Sequence, residues 1–179
     1  MKAKLLLIVM LFVLAVSVNA QTKAASTDAK TFKIGAGAMI GLPTGDYTDV
    51  ASLAYGVDVM GENAVAPSLG LTLSLGYFDF AKKSDFKEVE DEFGYNLKLG
   101  LITVLAGAKY YFSDKLYGST QIGYSFGTES DSGSAFMFTF APGIGYKIAD
   151  KLDLLLKYQS ASKVGSSVSF LGLRAGYSF

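Results

Sequence analysis

The sequence predicts an all-β protein, an eight-stranded antiparallel up-and-down transmembrane β-barrel, and three observations carry that reading. From residue 32 onward apolar and polar residues alternate with period two, the signature of strands with two unlike faces. The glycines gather on one of those faces. After the N-terminus no apolar run approaches the roughly 18 to 20 residues of a membrane-spanning helix, so a chain that is 50% hydrophobic would cross a membrane as strands.

Residues 1–20 begin with Lys2 and Lys4, run apolar from 5 to 16, and close on Ser17, Val18, Asn19 and Ala20. This is the charged start, apolar middle and small-residue cleavage site of a secretory signal peptide, and the apolar run is too short to span. Removing 20 of the 179 residues leaves 159 beginning at Gln21, and the loss of two lysines takes the net charge from 0 to −2. A lipid anchor would need a cysteine at the cleavage point, and the chain has none. Residues 21–31 are small and polar and read as a flexible tail; residues 32–179 read as the barrel domain.

Each strand follows from its parity. In 32–42, Ile34, Ala36, Ala38, Ile40 and Leu42 oppose Lys33, Gly35, Gly37, Met39 and Gly41. In 53–62, Leu53, Tyr55, Val57 and Val59 oppose Gly56, Asp58, Met60 and Glu62, and in 68–78 four leucines and Tyr77 oppose Gly70, Thr72, Ser74 and Gly76. Segment 102–112 sets Ile102, Val104, Ala106, Ala108, Tyr110 and Phe112 against Thr103, Gly107, Lys109 and Tyr111; 116–127 sets Ile122, Tyr124 and Phe126 against Ser119, Gln121, Gly123 and Ser125. Segment 135–148 opposes Phe136, Phe138, Phe140, Ile144 and Tyr146 to Thr139, Gly143, Gly145 and Lys147; 152–160 opposes Leu154, Leu156 and Tyr158 to Asp153, Lys157 and Gln159. The last, 167–179, opposes Leu171, Leu173, Ala175, Tyr177 and Phe179 to Gly172, Arg174, Gly176 and Ser178.

Alternation admits two assignments of inside and outside. A soluble lipocalin-like barrel buries the apolar face, whereas a membrane barrel shows it to lipid. Three features favour lipid. Twelve of the 20 glycines (35, 37, 41, 56, 70, 76, 107, 123, 143, 145, 172 and 176) lie on the polar face, where a narrow interior has room for little else. Aromatics cluster toward the ends of the apolar face, with Tyr110, Phe112, Tyr146, Tyr177 and Phe179 toward one rim and Tyr77, Tyr124, Phe126, Phe136 and Tyr158 toward the other, as in interfacial girdles. Connections alternate in length: 43–52, 81–94, 128–134 and 161–166 are the longer ones, and 63–67, 113–115 and 149–151 the shorter. Two places conflict with the pattern. The phase slips between Tyr95 and Leu101, which predicts a bulge or a protruding strand, and Pro142 inside a strand predicts a bulge or a lost ladder bond.

On these residues the chain resembles the small outer-membrane β-barrel proteins, the OmpA transmembrane-domain, OmpX and opacity-like group, over essentially its whole length after the signal segment. The likeness is carried by GAGAMIGLPTGDY at 35–47, GAKYYFSDKLYGSTQIGYSF at 107–126, APGIGYKI at 141–148 and the terminal LGLRAGYSF. The resemblance implies that Tyr177 and Phe179 form the C-terminal signal read by the barrel-insertion machinery. The family signal carries glycine five residues before the last aromatic, where this chain has Arg174. It also implies contact with outer-membrane lipid and lipopolysaccharide.

Chemistry is scarce. With no histidine and no cysteine there is no zinc finger, no haem or iron–sulfur ligation, no thiol nucleophile and no Ser-His-Asp triad. A net charge of 0 offers no basic face for nucleic acid. The enzymes among outer-membrane barrels resemble one another in using histidine, so we expect no enzyme, no cofactor and no metal. Asp85, Glu88, Glu90, Asp91 and Glu92 suggest a calcium or lipopolysaccharide bridge, but Lys82, Lys83 and Lys87 sit among them and favour a solvated loop. The inward charges Lys33, Asp58, Lys109, Lys147, Asp153, Lys157 and Arg174 predict a salt-bridged plug, with a narrow cationic pathway for a small anion as the alternative, since basic groups outnumber acidic ones in that set. Phe78, Tyr111, Tyr117 and Phe170 also point inward and strengthen the plug. The expectation is a non-catalytic outer-membrane protein that acts structurally, adhesively or through its outer loops toward a partner the sequence does not name, with a narrow channel or transporter as the alternative.

Overall fold

The structure is a computed structural model that describes residues 32–83, 100–128 and 136–179. The signal segment, the tail, the acidic run at 85–92 and the segment from Tyr95 to Leu99 lie outside the described residues. Eight strands form one closed antiparallel barrel in sequence order: β1 Phe32–Thr44, β2 Ala51–Ala66, β3 Leu69–Lys82, β4 Leu101–Tyr111, β5 Leu116–Gly127, β6 Phe136–Ala149, β7 Leu152–Lys163 and β8 Ser166–Ser178. β1 pairs with β8 from Gly35 opposite Ser178 to Thr44 opposite Ser169, so no strand edge is left free. The backbone N–H of Phe179 donates to the carbonyl of Ile34 at 2.9 Å and fastens the last residue across this seam.

The register sets the geometry. Following paired residues from Leu101 through Phe78, Gly56, Met39, Arg174, Leu155, Gly145 and Tyr117 returns to β4 at Tyr111, ten residues along from the start. Such a stagger tilts the strands by roughly 35 to 45° and brings together inward side chains from distant strands.

The apolar face is outside. Ile40, Leu42, Val57, Leu71, Ile122, Phe138, Ile144 and Leu173 are all exposed, whereas the opposite parity carries Asp58, Thr72, Gln121, Thr139, Gln159 and Arg174 and is buried. The soluble alternative is thereby overturned, because it would leave this apolar band in water. Pairs of rings mark its ends: Tyr110 with Phe112 and Tyr177 with Phe179 near the chain termini, Tyr124 with Phe138 and Phe126 with Phe136 toward the other rim.

Three connections at the terminal end are short: Pro67 and Ser68, residues 112–115, and Asp150 with Lys151. At the far end β1 and β2 extend into the expected 43–52 loop and reduce it to 45–50, a 3-10 turn at Gly45–Thr48 followed by two residues. The expected loop at 161–166 is a two-residue turn, Val164 and Gly165, because Lys163 still pairs with Ser166 and Gly165 takes φ +78°. Loop length therefore alternates at three of the four far connections, and β7–β8 departs from it.

Pro142 costs ladder pairing rather than making a bulge. Phe140 pairs with Ser160 and Gly143 with Lys157 in one unbroken register, and the two positions between them form no pair with β7. The bulge in this pair of strands lies instead at the turn, between Lys147 and Ala149. At the phase slip, Leu101 is an ordinary inward residue of β4, opposite Phe78 and Gly127.

Candidate functional site

The candidate site is the barrel interior, and it is built in two layers. Toward the far end Met39, Phe78, Phe80, Leu101, Met137, Val168 and Phe170 form one apolar cluster, with Ala51, Ala54 and Ala161 filling its margins. Phe170 lies 5.6 Å from Phe78 and 5.8 Å from Phe80, ring centre to ring centre, and both contacts are tilted or edge-on. Tyr47 reaches back from the 45–50 turn onto Phe80 at 5.1 Å and caps the cluster. The sequence reading placed Phe78 and Phe170 inward, and both are buried there.

The layer nearer the termini is ionic. Arg174 is 2% exposed. Its Nε donates to both Oδ1 and Oδ2 of Asp58 at 2.8 Å, and its Nη2 lies 2.7 Å from Oδ1. Its Nη1 stands 3.8 Å from Oδ1 of Asp153, whose other oxygen accepts a hydrogen bond from the Tyr117 hydroxyl. Asp58 and Asp153 are joined along one register row by Gly37 and Gly176, and the guanidinium lies in the space over these two glycines. A Cβ on Gly37 would fall 2.5 Å from Cζ of Arg174, closer than real Cβ contacts come. Gly37→Ala is therefore expected to push the guanidinium off Asp58 and cost about 1–3 kcal/mol, as overpacking does. The same change on an Arg174→Met background should cost little, and equal costs in both backgrounds, measured by denaturant unfolding in micelles, would contradict this account of the glycine.

A second ion pair crosses the interior beside the first. Lys109 Nζ lies 2.9 Å from Oε2 of Glu62, and the Tyr111 hydroxyl donates to Oε1 at 2.5 Å. Glu62 is the residue that the seven-member charge set lacks; its parity with Asp58 and Met60 is the signal that finds it. Including it corrects the charge balance inside. Lys109, Lys157 and Arg174 face Asp58, Glu62 and Asp153, three against three, and the expected basic surplus is confined to Lys33 and Lys147 at the terminal mouth. Lys157 is buried beneath the apolar layer, with its ammonium 5.7 Å from the centre of the Phe78 ring. Lys33, Lys147 and Lys157 form no ion pair among the described residues.

Between the layers, Gln121 Nε2 donates to Ser74 at 3.1 Å and reaches Thr72 at 3.4 Å, spanning from β5 to β3. Ser125 and Thr139 share a hydrogen bond of 2.5 Å. The interior is thus occupied by side chains from the apolar layer through the ionic one, as expected for eight strands, and opens only as a recess at the terminal mouth among the described residues.

A closed antiparallel barrel with an apolar outer band, aromatic rims and a packed polar interior is a transmembrane barrel of the outer-membrane kind. The chain belongs to the family described as the outer membrane protein beta-barrel domain, whose model matches residues 8–179. No curated protein matches it in sequence. Among solved structures it is similar to the attachment invasion locus protein Ail of Yersinia pestis, at 14% identity and a TM-score of 0.60 over 83% of this chain and 97% of that one. It is also similar to the N-terminal barrel domain of Pseudomonas aeruginosa OprF, at 14% identity and 0.51 over 82% and 97%. A de novo designed transmembrane β-barrel matches at 15% identity and 0.52 over 87% and 100%. At these identities the likeness is one of fold. The protein is an outer-membrane barrel.

Proposed function

We propose that this protein is a non-catalytic, non-conducting outer-membrane scaffold, exported by the signal peptide at 1–20, whose work is surface interaction through its outer loops. The observation that carries this reading is the sealed interior: a ring-packed apolar layer capped by Tyr47, above an ionic layer in which Asp58, Glu62 and Asp153 are all engaged by cations. A solute path would have to break both layers. Glu62 and Asp153 accept from Tyr111 and Tyr117, and Asp58 is held by Arg174, which supports the absence of catalysis, and no histidine stands anywhere in the chain to act as a base. What remains to act is the far rim, where the 45–50 turn and the fully exposed Val164 at the β7–β8 tip are offered to the exterior, and where the chain passes from β3 to β4 and from β5 to β6. Lipopolysaccharide around the outer band, and the insertion machinery at Tyr177 and Phe179, complete the proposed partners; Phe179 is exposed beside Tyr177 at the seam, as a docking signal requires.

Planar-bilayer recording of the refolded protein tests the reading. We expect no discrete conductance steps from folded, inserted barrel, and none on Lys109→Ala or Arg174→Ala that can be assigned to wild-type conduction. Anion-selective steps from the wild type, altered by those two substitutions, would establish the transporter reading instead.

A further inference from the structure

We infer that the recess at the terminal mouth of the barrel is a binding site for a phosphate group, clamped between Lys33 and Lys147. Each lysine stands opposite a carboxylate in the strand register, Lys33 across from Glu62 and Lys147 across from Asp153. Cross-strand pairs of this kind ordinarily neutralise one another. Here neither does, because both carboxylates turn inward: Glu62 is held by Lys109 and Tyr111, and Asp153 by Arg174 and Tyr117. Two ammonium groups are left on one recess, which both line, and their charges repel across it.

The lysines are also positioned. Lys147 lies over the face of Tyr111, 4.1 Å from the ring centre, and that ring is fixed by its hydroxyl on Glu62. The neighbouring turn charges, Asp150 and Lys151, oppose each other, and the charged lining as a whole, Lys33, Lys109, Lys147 and Lys151 against Glu62, Asp150 and Asp153, carries one net positive charge. An oxyanion with several acceptor oxygens bridges both of the ammonium groups that form no ion pair, whereas a monatomic halide offers them a single acceptor. The floor is closed by the Glu62–Lys109 and Asp153–Arg174 pairs, so the site is a dead end and requires no conduction. It therefore stands or falls apart from the scaffold reading. The phosphate has two sources, a solute of the compartment at this end or the headgroup of an adjacent lipid.

The test is titration of the refolded full chain with inorganic phosphate at low ionic strength, in an uncharged maltoside micelle free of phosphate. Amide shifts at Lys33, Tyr111 and Lys147 are followed by NMR. Saturable shifts are expected, weakened at least about tenfold in Lys33→Met and in Lys147→Met and little changed in Lys151→Met. Detergent-gel mobility confirms that each variant is folded, as positions that are exposed (Lys33, Lys151) or half-buried (Lys147) at the mouth allow. Repetition in phospholipid nanodiscs separates the sources: retained titration assigns the site to a soluble phosphate, and titration lost only in nanodiscs assigns it to a lipid headgroup. The absence of saturable shifts in micelles, or shifts indifferent to both lysines, would overturn the proposal.

Discussion

Arg174→Met is expected to destabilise the folded barrel by about 3–5 kcal/mol, the cost of removing one partner from a buried ion pair. The substitution keeps the bulk of the aliphatic stem but leaves Asp58 and Asp153 facing each other across Gly37 and Gly176 with no cation between them. Equilibrium unfolding in micelles should show a lowered midpoint with an unchanged slope. Arg174→Lys should recover part of the loss through its charge, though not the two contacts of the guanidinium fork with Asp58. Adding Asp58→Asn to Arg174→Met should restore stability relative to Arg174→Met alone, because it removes one of the stranded carboxylates. A midpoint for Arg174→Met equal to that of the wild type would show that the ionic layer contributes nothing to folding.

Phe78→Ala is expected to cost about 3–5 kcal/mol, as truncation of a buried aromatic does. Its ring fills the space over Gly56 and Gly76, touches Phe170 and covers the Lys157 ammonium, so its loss opens the centre of the barrel rather than its margin. The Phe78→Ala, Phe170→Ala double variant should be less costly than the sum of the singles, because the two rings lose the same contact. It is also the variant in which the apolar layer no longer seals. Recorded in planar bilayers, the folded double variant is expected to stay as silent as the wild type, because the ionic layer still closes the interior, and to pass current once Arg174→Met is added. Current through the double variant alone would place the barrier to conduction in the apolar layer alone.

The two layers were unequally legible. Strand parity alone puts Phe78 and Phe170 inward, and the twelve glycines of the same parity tell which face is inside, because that face must be small where it meets a ring or a guanidinium. Gly145 shows why: Tyr117 occupies the place its side chain would take. Parity likewise collects Asp58, Asp153, Lys109 and Arg174 on one wall. It does not say that Arg174 chooses Asp58, 116 residues away, as its bidentate partner. Nor does it say that Lys33 and Lys147 lose their register partners to groups deeper inside. Glu62 was within reach of the same rule at the end of its strand, and its pairing with Lys109, 47 residues away, is what makes it part of the site.

The sequence by itself determined the class of fold, the strand phase, the outward apolar band and the inward charges, since a period of two is a local property that needs no knowledge of neighbours. It also located Pro142 as a defect while leaving open which kind. Only the tertiary structure decided which inward residues meet. The barrel closes ten residues out of step with itself, so partners across the interior are set by strand tilt and stagger rather than by distance along the chain. The same closure turned the 161–166 loop into a two-residue turn, because β7 and β8 remain paired to their ends. It also left Lys33 and Lys147 at the mouth with no ion pair among the described residues, where pairing in the flat register would have neutralised them.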